Sequence, residues 1–382
     1  MRFRMLPWCL LLAIGCGDEP QPLQLPDPPP PPVRIAVAAP RLVAGPGSFD
    51  LTIGDEGPLL VFGPPSAQGG GLRALSLGPQ GEAVGPERVL VGGGEAAREL
   101  APQADEIAAL AHGGRLRVAW VERDQLVFKI RSMLLDAQAT SPGEPTLVDS
   151  TTRTHTGRGS LALAVHEGGF ALFHRREDGP CEDGGSSRCA RFGVHHTGST
   201  SGRRGGGLAI PTPCHAPIVG FASTGDTWYQ GVCSLEDGAP RTTVFGLQFD
   251  PQYAHAEHIL SGCEPRTMSQ VLDGVLISSE CESGKGTYVA NAGREVVELS
   301  GTPRLECGDD GVSWRWGTIG QPVRAPRAQV EGMLPHVILS KHARAVWTGE
   351  SLVVAEALGD ELSIRRFECD DGRFRRTDHE AL

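Results

Sequence analysis

Between Val33 and Leu382 no stretch of twelve or more residues carries an apolar period of 3.6, which argues against a chain built on amphipathic helices. Short apolar runs of four to seven residues recur instead, rich in β-branched and aromatic side chains and divided by Gly, Asp and Pro. Such runs are strands and hairpins. Phe49 to Ile53 and Leu59 to Phe62 flank the first turn, Ile107 to Ala111 and Leu116 to Val121 the second, and Leu161 to Val165 and Phe170 to Phe173 the third. Ile218 to Ala222 with Trp228 to Val232, Met268 to Leu272 with Val275 to Ile277, and Ala343 to Trp347 with Leu352 to Ala355 continue the series. Third strands follow several of these pairs, as at Leu126 to Ile130, Thr243 to Phe249 and Leu362 to Phe367. The chain is expected to be all-β.

The turn glycines Gly57, Gly114, Gly169, Gly225, Gly274 and Gly349 are 57, 55, 56, 49 and 75 residues apart. The longest interval holds a further turn, Asp309-Asp310-Gly311 before Val312 to Trp316, which divides it into 37 and 38. A unit of ~40 to 50 residues with three or four strands resembles the blade of a β-propeller. The expected fold is therefore a β-propeller of seven blades, with six as the alternate count, over residues 33–382. Two β-sandwich domains are the competing architecture. Val33 to Ala38 stands before the first turn without a partner, and in a propeller it would complete the last blade and remove its open edge.

The N-terminus has a different character. Met1-Arg2-Phe3-Arg4 is cationic, Met5 to Ile14 is mainly apolar, and Gly15-Cys16 follows. That layout is a secretory signal. Its ten-residue core would make only ~15 Å of helix, half of what a bilayer core requires. Ala13-Ile14-Gly15-Cys16 resembles the lipobox of bacterial lipoproteins. The resemblance implies cleavage of residues 1–15 and lipidation of Cys16, and hence a membrane anchor in the bacterial cell envelope, with the outer membrane as the expected site. Residues 17–32 contain eight prolines, ending in Pro28 to Pro32. Residues 16–32 thus read as a disordered, proline-rich tether of polyproline type, spanning up to ~50 Å at ~3.1 Å per residue.

Of ten cysteines, Cys9 leaves with the signal and Cys16 is taken by lipid, so eight remain for an oxidising compartment. Cys214 and Cys233 lie eleven before and eight after Gly225, and Cys263 and Cys281 lie eleven before and seven after Gly274. Across a hairpin those positions face each other, which predicts the disulfides Cys214–Cys233 and Cys263–Cys281. Cys181 and Cys189 flank a polar loop and are paired across its base, which leaves Cys307 with Cys369.

The charge balance is acidic, 35 basic against 46 acidic residues, and becomes 33 − 46 = −13 once Arg2 and Arg4 are removed with the signal. No long basic run is present, so nucleic acid is not an expected partner. No Cys-x-x-Cys occurs and no metal or cofactor is expected. His255-Ala256-Glu257-His258 is the densest titratable cluster, but two histidines three apart fall on opposite faces of a regular strand. His195-His196 and His215 are further histidines with nothing to place them beside it. Ser223-Thr224-Gly225-Asp226-Thr227-Trp228 shares its ends, and not its spacing, with the repeated box of propeller hydrolases of the sialidase type. No catalytic residue is assigned. Asp309-Asp310-Gly311 and Asp370-Asp371-Gly372 are accounted for by turn chemistry. These observations lead to an envelope lipoprotein whose propeller binds a protein or glycan partner, a reading that favours a non-enzyme. An envelope polysaccharide hydrolase or lyase on the same scaffold is the alternative.

Overall fold

The computed structural model describes residues 34–36 and, apart from several inter-strand segments, 49–377. The signal, Cys16 and residues 16–32 lie outside the described residues. Every regular element among those described is a β-strand. A short strand, β1 (Arg34–Ala36), precedes a first sheet of β2 (Phe49–Gly54), β3 (Gly57–Phe62), β4 (Leu72–Leu77) and β5 (Ala83–Val91). The second sheet holds β6 (Gln103–His112), β7 (Arg115–Asp124), β8 (Val127–Asp136) and β9 (Thr146–Thr151). The third holds β10 (Leu161–His166), β11 (Gly169–Pro180), β12 (Arg188–Thr197) and β13 (Leu208–Thr212). In the fourth are β14 (Phe221–Thr224), β15 (Thr227–Glu236), β16 (Ala239–Phe249) and β17 (Gln252–Ser261). The fifth is β18 (Cys263–Val271), β19 (Gly274–Cys281), β20 (Gly284–Asn291) and β21 (Val297–Glu298). A three-stranded sixth sheet, β22 (Arg304–Gly308), β23 (Gly311–Trp316) and β24 (Ile319–Pro322), comes before the seventh. That last sheet is β25 (Arg327–Val330), β26 (Ala343–Trp347), β27 (Ser351–Leu358) and β28 (Glu361–Asp370), and the free edge of β28 takes both β1 and β29 (Arg373–Arg376).

All pairings are antiparallel between strands consecutive in sequence, except that of β1, which reaches β28 through Arg34↔Ser363, Ile35↔Leu362 and Ala36↔Glu361. Turn chemistry sets the boundaries. His112 pairs with Arg115 across Gly113 and Gly114, whose φ values of 58° and 72° give the left-handed pair of a two-residue hairpin turn. Asp371 and Gly372, at 49° and 76°, do the same between β28 and β29, so the Asp370-Asp371-Gly372 motif is a turn.

Sheets stack on their neighbours through buried faces. The first strand of each lies against that of the next, β2 on β6, β6 on β10, β10 on β14, and β14 on β18. From β18 the contact passes to β25, and β25 and β26 touch β2. Phe49, Leu51, Leu60 and Phe62 of the first sheet pack on Val346, Val353, Leu362 and Ile364 of the seventh, almost three hundred residues away in sequence. The turn after β4 reinforces this: Ser351 Oγ donates to the Pro79 carbonyl at 3.2 Å and Arg366 Nη1 donates to Gln80 Oε1. The sixth sheet is wedged in from the side, with Leu305, Trp314 and Trp316 in one cluster with Leu276, Val354, Phe367 and Phe374. Its β22 lies against β29. Each fully buried Leu or Phe contributes roughly 1.5–3 kcal/mol relative to exposure, so these interfaces are the main favourable term in the fold.

Candidate functional site

Because each sheet is sandwiched between others, both faces of a strand can be dry, and a polar side chain on either face must find a partner. The inner strands meet this demand by capping backbone of the next sheet. Asp50 in β2 accepts the N–H of Ala109 in β6 at 2.8 Å, Thr52 Oγ1 accepts that of Ala111 at 3.1 Å, and Glu106 in β6 accepts that of Leu161 in β10 at 3.0 Å. Opposite charges also pair: Arg344 Nε with Asp50 at 3.7 Å, Arg131 with Glu122 at 2.6 Å and Arg365 with Glu356 at 3.1 Å. These contacts join neighbouring sheets, or strands within one sheet, through buried polar groups.

One buried charge differs. Arg117 in β7 is 5% exposed, and its one hydrogen bond among the described residues runs from Nη2 to Ser132 Oγ in β8 at 2.5 Å. Its Nε is buried without an acceptor, and no carboxylate among the described residues pairs with it. Burial lowers its pKa to about 10, which leaves the group a cation at neutral pH. The register explains the position. Leu110 pairs with Arg117 and Arg117 with Leu134, while Ala119 pairs with Ser132, so Leu110, Arg117, Ala119, Ser132 and Leu134 share the face turned to the third sheet.

On the opposing sheet Leu161, Leu163 and Val165 of β10 share a face with Phe170 and Leu172 of β11. Most of these residues bury one another: Leu110, Ala119, Leu161, Leu163 and Phe170 form a single core cluster. Toward the hairpin turns Leu134 is 36% exposed and Val165 44% exposed, although each lies on the face of its sheet that packs on the other. Exposed His112 stands edge-on to Phe170 at 6.4 Å, at the same end. The result is a buried guanidinium, hydrogen-bonded to Ser132, beside partly exposed Leu134, its register partner. Position 195 of β12 lies opposite Leu172 and so shares a face of the third sheet with it, and position 196 takes the other face.

No candidate catalytic residue had been assigned from sequence, and the histidine motif moves in one respect. In β17 the register steps from His255↔Gly246 and Ala256↔Phe245 to His258↔Val244, with a bulge that absorbs Glu257. The bulge turns the odd spacing into an even one, so positions 255 and 258 lie on the same face of the fourth sheet rather than on opposite faces. Among the described residues no three His, Cys, Asp or Glu side chains gather as metal ligands would. His215, Gly225, Asp226, Asp309 and Asp310 lie outside the described residues.

Among the described residues two disulfides are formed. Cys263 and Cys281 are direct register partners of β18 and β19, and Cys307–Cys369 ties β22 to β28. Of the other two expected pairs, Cys181 and Cys214 lie outside the described residues, and with them the bonds Cys181–Cys189 and Cys214–Cys233. Arg117 was not singled out in sequence because Arg115-Leu116-Arg117-Val118 alternates as a half-solvated strand would.

No family model matches the chain, and no curated protein matches it. Among solved structures it is similar to the polysaccharide lyase Uly1, with a TM-score of 0.39 and 11% identity over 64% of this chain and 57% of that one. A bifunctional GH43-CE protein of Bacteroides eggerthii gives a TM-score of 0.36 at 8% identity, over 91% of this chain and 53% of the other. Cobalt-substituted Synechocystis ACO gives 0.32 at 12% identity, over 86% and 74%. The chain thus spans little more than half the length of the first two.

Proposed function

We propose that the chain is a lipid-anchored binding module of the bacterial cell envelope, in which a β-propeller recognises a protein or glycan partner. The observation that carries the propeller is the order of contacts, which runs from sheet to sheet and returns from β25 and β26 to β2. In this reading six inner strands surround the axis, and the sixth sheet enters as a partial seventh blade behind β25. The pairing of β1 with β28 supports the tethered arrangement, because β1 follows the proline-rich stretch with only Val33 between. The anchor itself is Cys16, after removal of residues 1–15, with residues 16–32 as the spacer to the outer membrane.

Two measurements test this. Metabolic labelling with palmitate marks the wild-type chain and spares Cys16→Ala; equal labelling of both removes the anchor. Purified protein retains an envelope protein or glycan from a panel without altering it. Turnover of a polysaccharide would replace the binding module with an envelope hydrolase or lyase.

A further inference from the structure

We propose that His174 and Asp149 form a pH-sensitive clamp between the second and third sheets, which tightens when His174 takes up a proton. Nδ1 of His174 in β11 lies 3.8 Å from Oδ2 of Asp149 in β9, and the two side chains are 12% and 21% exposed. The two strands belong to different sheets, so the pair spans the interface between them. Register places it in a definite row. Asp149 pairs with Ile130 and Ile130 with Val121, while His174 pairs with Leu161, so both residues lie on the faces through which Val121 and Ile130 pack on Leu161. At the inner end of the same row Glu106, the register partner of Val121, accepts the Leu161 N–H at 3.0 Å. One end of the joint is therefore held by a backbone hydrogen bond, and the other by a pair whose attraction depends on the charge of an imidazole.

Histidine changes charge near neutral pH, with an ordinary pKa of ~6.5. Once protonated, His174 faces a carboxylate at a distance where opposite charges favour the charged form. Desolvation opposes the proton, but both side chains keep some contact with water. The other charged positions on these faces are further along. Arg117 is two rows away on the second sheet, positions 123, 176 and 191, all arginine, fall in the next row on one side, and position 195, a histidine, in the next row on the other. Successive rows on one face are ~7 Å apart, so the carboxylate at 3.8 Å has the stronger hold on the imidazole. A folded imidazole that holds its proton more firmly than the unfolded one adds stability that is fully present below about pH 6.5 and is lost as pH rises through the folded group's own midpoint. The clamp stands independently of the binding-module reading.

The test is a pH titration of the purified chain, read from the imidazole resonances of isotopically labelled histidine in wild type, Asp149→Asn and His174→Gln. The chain has 12 histidines, and the resonance missing from His174→Gln identifies His174. Asparagine keeps an oxygen for the Ser150 N–H that Asp149 accepts at 2.8 Å, so Asp149→Asn removes the charge without removing that contact. His174 is expected to titrate at least about half a pH unit higher in wild type than in Asp149→Asn. Urea midpoints give the second readout: the gap between wild type and Asp149→Asn should be wider at pH 5.5 than at pH 8. In the His174→Gln background the same Asp149→Asn gap should no longer change with pH, which separates the clamp from a structural role of either residue. The proposal is overturned if His174 titrates at the same pH with and without the Asp149 charge, if it keeps one charge state from pH 5.5 to 8, or if the midpoint gap is the same at both pH values.

Discussion

Asp50 is the strongest test of how the sheets are joined. Its side chain is 4% exposed and reaches across the interface between the first and second sheets, where Oδ2 accepts Ala109 N–H at 2.8 Å. Oδ1 accepts Leu51 N–H at 3.0 Å and lies 3.7 Å from Arg344 Nε, which comes from the seventh sheet. One carboxylate therefore connects three sheets. Asp50→Ala withdraws the acceptor and one member of a buried charge pair together, and breaking such a pair costs ~3–5 kcal/mol. Asp50→Asn keeps an oxygen for Ala109 and loses only the charge, for ~2 kcal/mol, the scale of a hydrogen bond to a charged group. Urea unfolding followed by tryptophan fluorescence gives the stability change, and amide hydrogen exchange at Ala109 gives the local one. In a double-mutant cycle with Arg344→Ala the two residues are expected to couple by ~1 kcal/mol or more, since contacting charges are not additive. A loss below ~1 kcal/mol for Asp50→Ala, or unchanged protection at Ala109, would refute the bridging role.

Three further outcomes follow from the same structure. Cys307→Ser with Cys369→Ser opens a link between residues 62 apart, worth ~4 kcal/mol in the chain-entropy model, and thermal unfolding should show a larger loss than for Cys263→Ser with Cys281→Ser, 18 apart and worth ~3 kcal/mol. Gly71→Ala and Gly85→Ala both place a side chain at positive φ, 81° and 79°, but at Gly71 the new Cβ would lie 2.2 Å from the Val91 carbonyl oxygen and at Gly85 it meets nothing within 4 Å. Denaturant midpoints should fall much further for Gly71→Ala, and equal shifts would contradict the packing of the sheet edge. For Arg117, whose pKa falls to about 10 on folding, the unfolded chain still holds, above that value, a proton that the folded chain has released. Stability relative to Arg117→Met is therefore flat below pH 9 and rises above pH 10, by ~1.4 kcal/mol at pH 11, as read from urea midpoints at pH 8 and 11. A fall over that interval would show that the guanidinium is not desolvated.

Much of the strand layout was legible because turn residues act locally. Gly113 and Gly114 sit at φ values that side chains resist, and Asp371-Gly372 does likewise, so the hairpins around them are written in neighbouring residues. The run Ala343 to Trp347 is β26 to the residue, and the partnerless Val33 to Ala38 contains β1, paired to β28 as closure of the last sheet requires. The outer strands were harder to see. In β5 the first five residues are exposed, so Ala83 to Glu87 bear no alternation of apolar and polar positions. The bulge at Glu257 was equally hidden, since one extra residue in β17 is a property of its pairing with β16. With the bulge in place the two histidines change from opposite faces to the same one, which shows how far a face assignment depends on register.

Arg117 shows why the candidate site was not legible at all. Arg115, Arg117 and Ala119 alternate with Leu116, Val118 and Trp120, and in a sheet with one wet face that pattern puts both arginines in water. Arg115 is indeed exposed, at the turn. Two residues further along, Arg117 is buried, on the face through which Ala119 packs on Leu161 and Leu163 of the third sheet. The difference between a solvated and a desolvated arginine is thus one step along the strand, decided by where the neighbouring sheet begins. Near the turns of stacked sheets a polar residue just inside the covered margin loses water and must find a partner within the protein, as Arg117 does at Ser132.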